Sequence, residues 1–206
     1  LHAGMVGKRV IEAMCRIRCT AEVASEFRYE NPIIGKKDMC IVISQSGETA
    51  DTLAAMRLAK QAGAFTIAIV NVVSSTIARE ADGVLYTWAG PEISVATTKA
   101  YSAQLSALYL ISVKISIGDE RALCAELQRL PECIEQTLKC QSDMQRIATL
   151  YANRSSVFFL GRGLDYAAAL EASLKLKEIS YIHSEAYAAG ELKHGTISLI
   201  EEGTLV

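Results

Sequence analysis

Residues 39–49 read MCIVISQSGET, and this stretch decides the fold class. The apolar run over 39–44 has the length of a strand and no polar side, which is typical of a strand buried on both faces of a parallel sheet. Apolar residues then recur with a helical period over 49–62, and Gly63 is a natural stop for that helix. The stretch therefore predicts a buried strand, a short polar loop and a helix.

The same alternation continues on both sides of this stretch. Helical patterns cover 1–16, 74–81 and 96–117, and short apolar strands cover 65–70 and 84–88. Strands that alternate with helices at this spacing indicate parallel βαβ units. The sequence therefore predicts an α/β fold, a three-layer αβα, flavodoxin-like parallel sheet with helices on both faces.

A second, incomplete copy of this pattern follows in the last third of the chain. Residues 157–160 are predicted to form a short strand, which GRG at 161–163 connects to a helix over 165–179. The region before it is more charged, and its helical pattern over 119–150 is interrupted at Pro131. This charged region is the best candidate for a linker between the two copies.

The two copies align without a gap as an internal repeat. Residues 21–29 fall on 186–194, and small, apolar and charged positions match in order. We therefore expect a first lobe at 1–118 that lacks its first strand, a helical linker at 119–150 and the truncated start of a second lobe at 151–206. This interpretation makes the chain an internal fragment of a longer protein.

Composition excludes several classes of protein. The chain is 50% hydrophobic and 21% charged, which is typical of a folded domain rather than of a disordered chain. The net charge is −2, and no basic run suggests a nucleic-acid partner. No apolar window is long enough for a membrane span, and the first residues lack the pattern of a secretory signal, so we expect no membrane association.

The cysteines favour a reducing compartment. Each lies in an apolar pattern, and none has a histidine placed for a metal site; they are Cys15, Cys19, Cys40, Cys124, Cys133 and Cys140. A chain of this size needs no disulfides to be stable, so we expect buried or half-buried free thiols in a cytoplasmic protein.

The loop Ser44–Thr49 is the first candidate site. It joins a strand to a helix at the carboxyl edge of the predicted sheet, where ligands bind in such folds. Its three hydroxyls and one amide, the free amides of the helix start and the small Gly47 together suit a phosphate group. The alternative is an ordinary helix cap, in which Ser46 or Thr49 caps the helix and Glu48 lies in its first turn.

The second candidate site is a charged face of the later helix. Glu171, Lys175 and Glu178 are spaced to share one face. The corresponding positions of the first copy carry three apolar residues, Val6, Val10 and Ala13. We therefore expect this face to be buried, with Glu178 acting as a proton-transferring base that Lys175 keeps ionised. The alternative is a solvated row of ion pairs.

Two histidines lie close to this region. His194 follows Glu191 with a Glu-x-x-His spacing, which alone is a weak metal signal, so we predict no metal site and favour a proton-transfer role for His194. His183 is expected to have a structural role in a strand or at its end.

Three motifs together resemble a known family. SQSGET at 44–49, EISVATTKAY at 92–101 and KLKEISYIHSEAYAAGELKHG at 175–195 are similar to segments of the isomerase half of the glutamine–fructose-6-phosphate aminotransferases, the glucosamine-6-phosphate synthases. That half consists of two sugar-isomerase (SIS) domains. The resemblance covers 1–206. The first motif is shared by SIS domains generally, and the third is more specific to the synthases.

The resemblance implies a substrate site in the first lobe. The phosphate of fructose 6-phosphate or glucosamine 6-phosphate would be held by Ser44, Gln45, Ser46 and Thr49. Val95 and Thr97 of the second motif would line the sugar. The family uses no metal or redox cofactor for this reaction.

The resemblance also implies three catalytic residues. Glu178 would move the proton between C1 and C2, which converts a 2-keto sugar to a 2-amino aldose, and Lys175 would support it. His194 would assist ring opening and would reach the site from the neighbouring subunit of a homodimer. Thr196 stands where the family usually has proline, which affects only the local loop geometry.

The resemblance further implies segments that this sequence does not contain. The full enzyme takes ammonia from glutamine in an amino-terminal glutaminase domain, and it has a carboxyl-terminal lysine at the sugar carbonyl and a Thr-Ser pair at the phosphate. We therefore expect this fragment alone to be inactive. The alternatives are an SIS-domain sugar-amine deglycase or deaminase, and an SIS sugar-phosphate sensor fused to a DNA-binding domain. A sensor would need only the phosphate loop, whereas this sequence adds Lys175, Glu178 and His194.

Overall fold

The computed structural model describes all 206 residues, which divide into two compact units. The first unit consists of Leu1, Ala3–Glu12 and Arg16–Ser112. The second consists of His2, Ala13–Cys15 and Val113–Val206. The predicted division into two lobes and a separate linker stays a prediction.

The first unit contains a three-stranded parallel sheet. Its strands are β1 (Met39–Ser44), β2 (Phe65–Val70) and β3 (Gly83–Tyr86), in the order β1-β2-β3. Ser44 pairs with Val70, and Val70 pairs with Tyr86. The three strands therefore end at one level, so the loops that follow them emerge at the same edge of the sheet.

Helices cover both faces of this sheet, as predicted. They are α1 (His2–Cys15), α2 (Ala24–Phe27), α3 (Ala50–Gln61), α4 (Thr76–Glu80) and α5 (Lys99–Ile115). On one face, a core of buried apolar residues joins the strands to α3 and α4; it contains Val42, Met56, Ala68, Val70, Ile77 and Ala78. On the other face, a second core joins them to α1 and α5; it contains Ala3, Ile69, Ala107 and Leu108. The three-layer α/β prediction is confirmed.

Three element boundaries differ from the prediction, two of them because of a left-handed backbone conformation. The helix predicted from residue 74 begins at Thr76, because Ser74 has a left-handed φ of 61°. The strand predicted to reach Trp88 ends at Tyr86, because Trp88 has a φ of 51°. The helix predicted from residue 96 begins at Lys99. A left-handed φ interrupts either element, and nothing in the sequence pattern marks it at a serine or a tryptophan.

The charged region folds as three helices rather than two. They are α6 (Glu120–Gln128), α7 (Leu130–Leu138) and α8 (Gln141–Tyr151), and none has a buried residue. The first interruption of the helix lies before Pro131. Pro131 is in the first turn of α7, where the N–H that proline lacks is not needed for a helical hydrogen bond. A second break, at Lys139 and Cys140, was not predicted.

The second unit contains a parallel strand–helix–strand arrangement of the same kind as the first unit. Strand β4 (Ser156–Gly161) pairs in parallel with β5 (His183–Ala188), and α9 (Leu164–Ser180) packs on them. Val157 also forms a parallel bridge to Leu205. The shift that aligns the repeat places α1 within α9, and it places Met39 and Cys40, the first two residues of β1, on Thr204 and Leu205. These elements agree with the predicted repeat.

The repeat is not complete in structure, because β5 has no counterpart strand in the first unit. The equivalent residues 18–23 are irregular. Strand β5 pairs with β4, whereas residues 18–23 pair with no strand of this chain.

The six cysteines are free thiols, but their burial only partly matches the prediction. Cys15 is buried, Cys19, Cys40 and Cys124 are half-buried, and Cys133 and Cys140 are exposed. The two exposed residues were expected to be covered, and they lie in the helical region that buries no side chain. Burial raises the pKa of Cys40 to about 11.

None of the helices combines the length and the hydrophobicity that crossing a membrane requires.

A testable electrostatic contact joins β2 to the residue that precedes β3. The Thr66 N–H and hydroxyl donate to Asp82 Oδ2 at 2.9 and 2.7 Å, and Lys60 Nζ lies 2.7 Å from Oδ1. Lys60 first, and then Thr66, lower the pKa of Asp82 to about 2. This carboxylate therefore stabilises the fold above its unfolded pKa, and the contribution is lost as pH falls through about 2.

We expect Asp82→Asn to lower the melting temperature at neutral pH, because the amide loses the charge that Lys60 and Thr66 stabilise. The difference from the parent should narrow as the pH falls from about 4 towards 2, where the parent's carboxylate becomes protonated. Thermal melts across this pH range measure it. A difference that is the same at every pH would contradict the assignment.

Candidate functional site

The loop after β1 is organised by its own hydroxyl groups. Ser44 is buried, and its Oγ accepts the Gly47 N–H at 3.0 Å and lies 2.9 Å from Thr49 Oγ1. Ser46 Oγ accepts the Glu48 N–H at 3.2 Å. Helix α3 begins at Ala50, one residue later than predicted, and no side chain caps this helix. The hydroxyls are therefore arranged around the loop itself rather than used as a helix cap.

The loop is also held against α4. Glu48 was considered for the first turn of α3, but its Oε1 instead accepts the Thr76 N–H at 2.6 Å. This bond from the Thr76 main chain is the main reason that the pKa of Glu48 is lowered. The Ile77 N–H donates to the Gly47 carbonyl at 3.0 Å. The loop after β1 is thus held by α4, a helix that follows β2.

Gly47 is required where the loop approaches Ser75. Its φ is 68°, and a Cβ built on it would lie 2.0 Å from Ser75 Oγ. Ser75 is 3% exposed, and its hydroxyl has no hydrogen-bond partner. An unpartnered buried hydroxyl is uncommon, and here it packs against the backbone of the loop.

The third loop at this edge, residues 87–98, follows β3 and carries the predicted sugar contacts. Val95 is exposed and Thr97 is half-buried. Glu92 Oε1 accepts the Thr98 N–H at 3.0 Å, and Glu92 Oε2 is buried without a partner. At the other end of the loop, the Asn71 side chain bonds three groups between Thr87 and Gly90.

The charged side chains on one face of α9 contact one another, as their spacing predicts, but they are less buried than predicted. Lys175 Nζ lies 2.5 Å from Glu178 Oε2 and 3.5 Å from Glu171 Oε1. Glu171 Oε2 in turn lies 2.8 Å from Nδ1 of His2, a residue of the same unit. The Glu178 side chain remains 25% exposed, and Ala13, its equivalent in α1, is exposed. The expectation of a fully buried face is therefore wrong at its carboxyl end.

The other two histidines of this unit, His183 and His194, form no hydrogen bond or ion pair with the charged face. His194 is in an exposed turn, where its N–H donates to the Glu191 carbonyl at 2.9 Å. No hydrogen bond or ion pair joins its imidazole to Lys175 or Glu178. His183 is the first residue of β5, as predicted, with Nδ1 3.3 Å from Ser156 Oγ.

The structure brings together some of the predicted residues and adds others. Ser44 with Thr49, and Lys175 with Glu178, are in direct contact. The structure shows no bond from Val95 or Thr97 to the loop after β1. Sequence reasoning missed three residues that support the loops, namely Asn71, Ser75 and Glu92. The available signal was that Asn71 directly follows the second apolar strand at the edge where Gln45 follows the first.

Known proteins share the sequence and the fold of this chain. The family model for the SIS domain matches residues 1–114 and 150–206. Glutamine–fructose-6-phosphate aminotransferase (isomerizing) from Caldanaerobacter subterraneus subsp. tengcongensis is 57% identical over all of this chain, and the protein of the same name from Clostridium tetani is 58% identical. Each match covers 35% of the relative, so the chain spans about a third of the length of these proteins.

A solved structure shares the fold over nearly the whole chain. The C-terminal domain of glucosamine-fructose-6-phosphate aminotransferase from Francisella tularensis has a TM-score of 0.95 and 40% sequence identity. The match covers 98% of this chain and 60% of that domain.

Proposed function

The chain belongs to the SIS domain family, and on that premise we propose that it is part of the isomerase half of a glutamine–fructose-6-phosphate aminotransferase. The observation that carries the proposal is the loop Ser44–Thr49, whose hydroxyls are gathered at the carboxyl edge of a parallel sheet. Its ligand would be the phosphate of fructose 6-phosphate. The 57% identity to a protein of that name over the whole chain supports this substrate.

Binding would replace the internal contacts of the loop by contacts to phosphate. Ser44, Ser46 and Thr49 have hydroxyls that can turn towards an anion, and the Gln45 amide adds a donor. The start of α3 adds main-chain N–H groups and a partial positive charge. Val95 and Thr97 would then line the sugar from the loop after β3.

The isomerisation is a proton transfer next to a carbonyl or imine. Ammonia replaces the C2 oxygen of the open-chain ketose with loss of water, which gives an imine. Glu178 would take the proton from C1 and return it to C2, while the C1 hydroxyl loses its proton and the imine nitrogen gains one. C1 thereby becomes an aldehyde and C2 carries an amine. Lys175, 2.5 Å from Glu178, would support and orient its carboxylate. His194, supplied by the neighbouring subunit of a homodimer, would assist ring opening.

The proposal includes the context of the site. A glutaminase domain elsewhere in the full-length protein would supply the ammonia, the protein would be cytoplasmic, and these 206 residues alone would not make glucosamine 6-phosphate. The deglycase, deaminase and sensor alternatives are not favoured, because the aminotransferase relatives match all of this chain at 57 and 58% identity.

Replacing Ser46 tests the phosphate loop. In the full-length protein, we expect Ser46→Ala to raise the Kd for fructose 6-phosphate about tenfold or more, since a hydrogen bond to a charged group contributes about 1.5–3 kcal/mol. The melting temperature should stay close to that of the parent, because the hydroxyl's bond in the structure is to the Glu48 N–H within the same loop. Titration calorimetry measures the affinity.

The matched control is Ser142→Ala, which removes an exposed hydroxyl from α8. It should change neither the affinity nor the melting temperature. Unchanged affinity in Ser46→Ala would contradict the assignment of this loop to phosphate.

A further inference from the structure

We infer that Asn71 is the positioning residue that sets the sugar loop relative to the phosphate loop. The inference rests on the proposed function, because it assigns these two loops to the two ends of one substrate. Asn71 follows β2, and so lies between the loops that follow β1 and β3. It contacts both of them through different atoms.

The main chain of Asn71 contacts the phosphate loop. Its N–H donates to the carbonyl of Gln45 at 3.1 Å. This bond belongs to the backbone, so a change of the Asn71 side chain leaves it available. The geometry of Ser44–Thr49 also depends on Glu48 and on Gly47, which are held by α4.

The side chain of Asn71 contacts the sugar loop with every polar atom that it has. Oδ1 accepts the Ala89 N–H at 2.8 Å and the Thr87 hydroxyl at 3.1 Å. Nδ2 donates to the carbonyl of Gly90 at 2.8 Å. One amide therefore fixes the first four residues of the loop, 87–90, to the end of β2.

The backbone conformation of this loop shows why such a clamp is needed. Trp88 has a φ of 51° and Gly90 a φ of 71°, so the chain turns twice through the left-handed region within three residues. A tryptophan enters this region only when its surroundings hold it there. Asn71 bonds Thr87 and Ala89 on either side of Trp88, which holds that turn.

The loop is fastened at its other end by Glu92, which accepts the Thr98 N–H at the start of α5. Between the two fastenings lie the exposed Ile93 and Val95, and the half-buried Thr97. The predicted sugar contacts thus sit on a segment held at both ends. Release of the Asn71 end would leave the phosphate contacts unchanged and misplace the sugar contacts.

The test compares two ligands in the full-length protein by titration calorimetry: inorganic phosphate, which needs only the phosphate loop, and fructose 6-phosphate, which needs both. We expect Asn71→Ala to raise the Kd for fructose 6-phosphate about tenfold and to change the Kd for inorganic phosphate by less than roughly twofold. Asn71→Asp keeps the acceptor for Ala89 and Thr87, and should retain part of the lost affinity. Thr87→Val removes one of the three bonds and should have the smallest effect.

Hydrogen exchange gives a readout that does not depend on a ligand. The Ala89 amide should exchange faster in Asn71→Ala, while the Gly47 amide, bonded to Ser44 Oγ, should keep its protection. If Asn71→Ala raises the Kd of both ligands equally, or if exchange of the Ala89 amide is unchanged, the inference is overturned. The proposed function still stands in that case, provided that the wild-type protein binds fructose 6-phosphate. A wild-type protein that binds no fructose 6-phosphate would overturn the proposed function, and this inference with it.

Discussion

Gly47→Ala is expected to destabilise the protein by about 2–4 kcal/mol and to abolish phosphate binding at the loop after β1. The added Cβ would lie 2.0 Å from Ser75 Oγ and 2.5 Å from Ser75 Cβ. Ser75 cannot move aside easily, because it is 3% exposed and directly precedes α4. The loop would have to leave its position, and with it the hydroxyls of Ser44 and Thr49.

Gly90→Ala is the matched control, because it separates the clash from the backbone strain. Gly90 has a φ of 71°, close to the 68° of Gly47, but the nearest atom to an added Cβ is Lys99 Nζ at 3.8 Å. Gly90→Ala should therefore lower the free energy of unfolding only by the strain of a left-handed alanine, about 1–2 kcal/mol. Denaturation midpoints of both variants measure the difference, and equal costs would show that the contact with Ser75 is unimportant.

A double variant tests the contact from the other side. Ser75→Gly in the Gly47→Ala background removes the atoms that clash, and should recover part of the lost stability. Ser75→Ala alone should be close to neutral, because the hydroxyl that it removes is buried without a partner. A strong loss of stability in Ser75→Ala would show that this hydroxyl does have a partner in solution.

Sequence reasoning recovered the elements whose signal lies within one segment. The run MCIVIS at 39–44 became β1 with the predicted limits, and the helix predicted over 165–179 extends by one residue at each end. A continuous apolar run and a helical period are properties of consecutive residues, so they can be read before the tertiary structure is known. The same holds for the parallel sheet, which follows from the alternation of these elements.

The parts that were missed depend on residues distant in the sequence. The alternative to a phosphate site placed Glu48 in the first turn of the following helix, but its carboxylate bonds Thr76, 28 residues away. Asn71 bonds Ala89 across 18 residues. Neither contact has a local pattern, because it forms only after β1, β2 and β3 have aligned their ends. The left-handed turn at Trp88 could not be predicted for the same reason, since Asn71 holds it.

The charged face of α9 shows how far an internal repeat can be used. The apolar counterparts of Glu171, Lys175 and Glu178 in α1 suggested a buried face. The structure gives a gradient instead, with side-chain exposures of 14%, 20% and 25% along these three residues. A carboxylate that transfers a proton to and from a substrate must be reachable, so partial exposure of Glu178 fits the proposed role better than complete burial.

Glu178→Gln is therefore expected to have the largest effect on the proposed reaction. In the full-length protein, the amide keeps the size of the side chain but cannot accept the C1 proton, so isomerisation should fall by about 10²–10⁴-fold. Binding of fructose 6-phosphate and hydrolysis of glutamine should persist, because the phosphate loop lies in the first unit and glutamine hydrolysis belongs to the proposed glutaminase domain. Steady-state assays of isomerisation and of glutamine hydrolysis, together with titration calorimetry of fructose 6-phosphate binding, distinguish these outcomes.

Asp165→Asn is the matched control, because it makes the same carboxylate-to-amide change at an exposed position in the first turn of α9. It should leave isomerisation unchanged. If Glu178→Gln isomerises at the parent rate, the bond of 2.5 Å between Lys175 and Glu178 is only a structural ion pair. The proton carrier would then have to be another group, and His194→Asn would be the next variant to measure.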